Sequence, residues 1–178
     1  AVEGALALFE PPIVRGLVRH VRGPFYSVGL PDKPLPSPGQ GNAPQGYLQS
    51  LDDVERHVRF VTGRMATDSV SAGPRGPVVE AVIGDLVAFH HGIEVGDTVT
   101  LTPSLAEPKR VSAKIVGIIQ AVDSSEEYWQ RHAGIFIRPD PPGNPPIALF
   151  VTRDAILEAG ATYPGTLARI LWFVFVDG

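Results

Sequence analysis

The chain has 178 residues, 44% hydrophobic and 19% charged, which is enough for a real core and too apolar for a disordered segment. A net charge of −4, with no cluster of lysines or arginines, gives no electrostatic reason to expect nucleic acid, and the lack of cysteine excludes disulfides and thiolate metal sites. Nineteen glycines and eighteen prolines imply short elements and many loops, which argues against a helical bundle.

Ala1 to Phe9 is apolar without a clear period. From Ile13 to Val21 the apolar residues Ile13, Val14, Leu17, Val18 and Val21 fall near helical spacing, with Arg15, Arg19, His20 and Arg22 opposite. Pro12 suits the first turn of that expected helix and Gly23-Pro24 its end. Phe25 to Leu30 reads as a short strand. Pro31 to Gly46, with five prolines and three glycines, is a long loop. The expected division is therefore a helix and Pro/Gly-rich loop over 1–46, followed by a core over 47–178.

Tyr47-Leu48 is strand-like, Ser50 or Asp52 is placed to cap a turn through Val54 to Arg56, and Val58, Phe60 and Val61 read as extended. Ala66 to Pro77 reads as loop. The organising stretch is Val78 to Ile119. It opens with the apolar run Val78–Ile83, bounded by Gly84, as a buried strand. Asp85 is placed to N-cap a short helix ending at Gly92 in the left-handed conformation. Gly96-Asp97 forms a tight turn into the strand Thr98–Leu101, and Arg110 to Ile119 closes as a further strand.

Asp123 to Trp129 carries a helix-start signature, with acids in the first turn. Ile135-Phe136-Ile137 is a short apolar run and Pro139 to Pro146 a loop. Ile147 to Val151 reads as a buried strand, Thr152 as the cap of a helix Arg153–Ala159 closed by Gly160, and Leu167 to Val176 as a strongly apolar strand. The sum is an α+β fold of mixed or antiparallel strands with short helices. No apolar stretch reaches the ~18–20 residues of a membrane helix. Beginning at Ala1 without Met or signal peptide, the chain reads as a segment of something longer.

Two constellations invite chemistry. Adjacent His90 and His91 point about 100° apart on a helix, a poor arrangement for one metal, and His20, His57 and His132 lie in other elements. Asp123, Glu126 and Glu127 beside Tyr128 and Trp129 could be drawn as a glycosidase carboxylate pair with an aromatic platform. The bland reading is a helix N-terminus whose acids suit the dipole. No phosphate-binding loop, dinucleotide fingerprint or nucleophile elbow is present. These patterns point to a non-enzyme.

One ordered set of segments goes further. Gly63-Arg64, then Val79–Ile83, Leu86–His90, Gly92-Ile93, Val95-Gly96-Asp97-Thr98 and Val116-Gly117-Ile118 resemble the extracytoplasmic domain of ABC-transporter permeases of the MacB/FtsX-like class. Asp123–Trp129, the strand and helix from Ile147 to Gly160, and Leu171-Trp172 extend the likeness to about Tyr47–Gly178. Departures are Met65-Ala66, where the family often has an aromatic and a proline, His90-His91 in place of a leucine, and the loop Pro31–Gly46.

The resemblance implies a MacB periplasmic-core-like fold on the extracytoplasmic face of the cell membrane, anchored by transmembrane helices outside this chain. It implies a non-enzymatic part in mechanotransmission. Its partners are the transmembrane and ATPase parts of the same transporter, and an extracytoplasmic protein, peptide or lipid substrate. It implies no cofactor, and it assigns no catalytic, cofactor-binding or metal residue, because the matched positions are scaffold. Two other readings stand beside it: a small β-barrel, double-psi-like binding module of a soluble protein, and a glycan-acting hydrolase using Asp123, Glu126 or Glu127.

Overall fold

The computed structural model describes residues 14–31, 33–34, 43–103, 110–129, 136, 145–161 and 168–176. The expected stretch is present at its centre. Strand β6 (Gly76–Gly84) feeds helix α1 (Asp85–His91), and a tight turn leads into β7 (Thr98–Thr102) and β8 (Val111–Ala121). Gly92 closes α1 at φ 65°, its N–H donating back to Phe89 O, and Gly96 turns at φ 103°. The helix starts differently from expectation. Gly84 occupies the cap position, while Asp85 is the first helical residue and accepts a hydrogen bond from Gln120 Nε2 at 2.6 Å. A carboxylate there still favours the positive end of the helix.

Three further strands close a ring with this unit. They are β2 (Tyr26–Gly29), β3 (Gln45–Leu51) and β9 (Ile147–Phe150), with β7 between β8 and β2. Pairing runs β2–β3–β9–β6–β8–β7 and returns to β2. The β3–β9 and β6–β8 pairs are parallel and the other four antiparallel. Alternate residues of these strands, among them Val28, Leu48, Ala81, Ile83, Leu101, Ile115 and Leu149, form one buried cluster. Val87 and Ala88 of α1 join it, as do Ala155 and Ile156 of α2 (Arg153–Ala161). The alternation follows from the two-residue period of a strand.

The opposite phase builds a second core. Tyr47, Val82, Val116, Ala148 and Phe150 turn outward and are covered by Val54, Val58, Tyr128 and the fully buried Trp129. Neighbours such as Val82 and Ile83, or Ala148 and Leu149, thus serve two different cores. This explains why their strands read as continuous apolar runs.

The remaining strands are β1 (Val14–Arg22), β4 (Val58–Gly63), β5 (Val70–Gly73) and β10 (Arg169–Val176). All ten described strands belong to one mixed sheet, while the two described α-helices have seven and nine residues. The expected α+β, MacB periplasmic-core-like fold class is therefore corrected to a β-rich fold. The decisive difference is the expected helix at Ile13–Val21, whose described residues 14–21 lie in strand β1, paired with β10 from Val14↔Val176 to Arg22↔Arg169. Its apolar spacing fits a helix, but β-branched residues and a long partner strand satisfy the backbone as a ladder instead.

Smaller corrections follow the same logic. Part of the expected loop Ala66–Pro77 is β5 and its two-residue turn into β6. The turn at Val54–Arg56 is preceded by Asp53 at φ 59°, not capped by Ser50 or Asp52. Asp123–Trp129 makes only a 3-10 turn, Glu127–Trp129. Thr152 does accept a hydrogen bond from Ala155 N–H at 3.3 Å, but α2 runs through Gly160 to Ala161. Ala1–Phe9, Pro12, Ile135, Ile137, His132 and most of Pro31–Gly46 and Pro139–Pro146, for which the sequence raised expectations, lie outside the described residues.

Candidate functional site

A groove of about 290 Å³ runs between the β1–β10 ribbon and the Glu127–Trp129 turn. Its apolar wall is Gly16, Leu17, Val18 and Phe175, and its polar wall is His57, Glu126 and Glu127. Gly16 matters here because a Cβ would stand 3.3 Å from the Phe175 ring, so glycine lets that ring lie across the strand.

Tyr128 anchors the polar wall. Its hydroxyl donates to Asp52 O at 2.8 Å, and burial, followed by the nearby acids Asp53, Asp52 and Glu55, raises its pKa above the ordinary phenol value. The His57 ring stacks on Tyr128 with centroids 3.7 Å apart, and His57 Nδ1 lies 2.6 Å from Glu126 Oε2. Trp129 lies edge-on to Tyr128 and to Phe136. The turn is thus held by aromatic packing on one side, and on the other by the His57–Glu126 hydrogen bond and the Arg15–Glu127 ion pair.

The three candidate acids of the sequence are placed as follows. Glu126 and Glu127 both line the groove, Glu126 paired with His57 and Glu127 with Arg15. Asp123 accepts from the N–H of Ser125 at 2.8 Å and its Oγ at 2.6 Å, and these bonds lower its pKa. It closes its own turn, away from the groove lining. Each carboxylate has a local partner, which favours the structural reading of the acidic run. The sequence missed Arg15, His57 and Phe175 as groove residues, for they come from β1, the β3–β4 connection and β10, and no local signal links them.

The histidines are separated. His20 is buried beside Gln49, with Nε2 3.2 Å from Gln49 Oε1, and burial pulls its pKa down to about 4. His90 and His91 stack edge to face, and His91 Nε2 reaches Pro145 O at 3.3 Å. Among the described residues no group of three His, Cys, Asp or Glu side chains could hold a metal ion. No described helix is long and apolar enough to cross a membrane.

The matched motif residues, in contrast, converge. Gly63 of β4 pairs with Gly117 of β8, and Arg64 N–H donates to Val116 O at 2.9 Å. The Arg64 guanidinium grips Glu80 with two hydrogen bonds, 2.7 and 2.5 Å long, and Thr67 donates to the same carboxylate through N–H and Oγ1. Those hydrogen bonds, the one from Arg64 first, hold the Glu80 pKa down to about 2. The Val95-Gly96-Asp97 turn is clasped to the same strand. Gly96 N–H donates to Ile115 O and Ile115 N–H to Asp97 O, both at 2.8 Å.

No protein-family model matches the chain, and no curated protein matches it. Among solved structures the chain is similar to a domain of a "putative Permease protein" from Porphyromonas gingivalis, at 14% identity and a TM-score of 0.37, over 98% of this chain and 77% of that one. A TM-score this low marks a slight likeness, and no residue role is taken from it.

Proposed function

We propose that this chain is an extracytoplasmic domain of an ABC-transporter permease of the MacB/FtsX-like class. It is a non-enzymatic part that relays movement of membrane helices to a substrate or partner outside the membrane. The observation that carries this reading is the junction of Gly63-Arg64 with Val116-Gly117. Motif segments about fifty residues apart meet in one contiguous unit, as related parts of a single family module should.

The test uses the absence of cysteine. Ser69 is exposed, so Ser69→Cys in the full-length gene product offers one new thiol in this domain. A membrane-impermeant maleimide should label it in intact cells, above the unsubstituted background. Labelling only after lysis would overturn the extracytoplasmic reading.

A second reading, a small double-psi-like β-barrel binding module of a soluble protein, is favoured by the closed ring of six strands with two parallel pairs. Fractionation of the full-length product separates the two. Recovery with the membranes supports the permease part, and recovery in the supernatant supports the soluble module.

A further inference from the structure

Three donor side chains share a row across the sheet. Arg169 on β10 faces Arg22 on β1, and Arg22 faces Gln49 on β3. Directly opposed residues of antiparallel strands project from the same side, so both guanidinium groups rise from one face. Arg22 is held in place, its guanidinium over the rings of Phe25 at 5.6 Å and Tyr47 at 5.3 Å. Gln49 is fully buried, and among the described residues its Nε2 has no hydrogen-bond partner.

On the same ribbon Arg15 pairs with Glu127 and Arg19 with Asp52, yet among the described residues neither Arg22 nor Arg169 has a carboxylate partner. Neither β1 nor β10 contains an acid. Like charges directly opposed across a ladder repel, which costs stability unless an anion lies between them. In a chain of net charge −4, two facing arginines without a carboxylate partner among the described residues form a local exception.

We propose that Arg22 and Arg169 form a binding site for an oxyanion of the phosphate class, backed by the Gln49 amide. A planar carboxylate meets one guanidinium fork edge-on with its two oxygens, whereas a tetrahedral phosphate group presents oxygens to both forks at once. Exposed Phe25 and Leu171 flank the row and provide apolar surface for a body attached to that phosphate. The phosphate group can belong to a phospholipid headgroup or to a free ion.

The test titrates inorganic phosphate into the 178-residue chain at constant ionic strength while following the arginine Nε–Hε resonances. In parallel, the chain is sedimented with vesicles of phosphatidylcholine, alone or mixed with phosphatidylglycerol. The expected result is a saturable shift confined to Arg22 and Arg169, weakened about tenfold or more in Arg169→Gln and unchanged in Arg153→Gln. Arg169→Lys should also bind weakly, since it keeps the charge and loses the fork. Phosphatidylglycerol-dependent sedimentation that free phosphate competes away identifies a lipid source, and a phosphate shift without sedimentation identifies a soluble one. Absence of both, or equal binding by Arg169→Gln and the parent chain, overturns the proposal. Arg169 is exposed, so its variants keep the test valid even if Arg22→Gln fails to fold.

Discussion

Gly63 and Gly117 face each other across β4 and β8, and neither has room for a side chain. A Cβ on Gly63 would overlap the Val116 carbonyl oxygen, and one on Gly117 would overlap the Arg64 carbonyl oxygen. Gly63 also sits at φ 83°, a conformation that side chains resist. The crossing brings the backbones of β4 and β8 so close that two motif segments depend on each other.

Gly117→Ala should therefore lower stability by about 1–3 kcal/mol through overpacking against backbone that cannot yield as a flexible side chain would. Gly63→Ala should cost at least as much, because φ strain adds to the clash. Urea unfolding of both variants checks this, and midpoints equal to the parent's would refute the close crossing.

The Asp97 carboxylate accepts the N–H of Glu94 at 2.8 Å, fixing the turn before β7. Asp97→Ala should cost about 0.5–2 kcal/mol, in the range of a lost capping bond, and Asp97→Asn should recover much of it. Thermal melts of the three proteins decide it. An unchanged melting temperature for Asp97→Ala would contradict the role.

Trp129 is fully buried at the centre of the outer core, against Tyr128 and Phe136. Trp129→Ala should remove about 3–5 kcal/mol of stability, the cost of a large cavity. Denaturant unfolding followed by circular dichroism measures it, and a loss below about 1 kcal/mol would mean that the outer core closes without this ring.

His20 gives the protein an acid-side pH dependence. Burial lowers its folded pKa from 6.5 to about 4, so between those values the unfolded chain binds a proton that the folded chain refuses. Stability from this group is complete above about pH 6.5 and falls as pH drops toward 4, by about 3 kcal/mol at most. Melting temperatures from pH 7 to pH 4 should show the decline. His20→Gln should flatten that part of it, and an equally steep decline in the variant would assign the slope to other groups.

Much of the central unit is legible in the sequence. Gly92 and Gly96 fall where positive φ is needed, and the runs Val78–Ile83 and Arg110–Ile119 are apolar because each faces two cores. The groove was not legible. Arg15, His57, Glu126 and Phe175 are far apart in the chain, and none belongs to a local pattern that names the others.

The residues by themselves determined the strand–helix–turn–strand order around α1, because glycine turns, a short amphipathic helix and β-branched runs act through neighbours in the chain. Only the tertiary structure decided that Val14–Arg22 is a strand, that six strands close a ring, and that Arg22 meets Arg169. The physical reason is the ladder. Apolar spacing in β1 suits a helix or a strand, and the choice is made by β10, a partner more than 140 residues away whose backbone donors and acceptors β1 must satisfy.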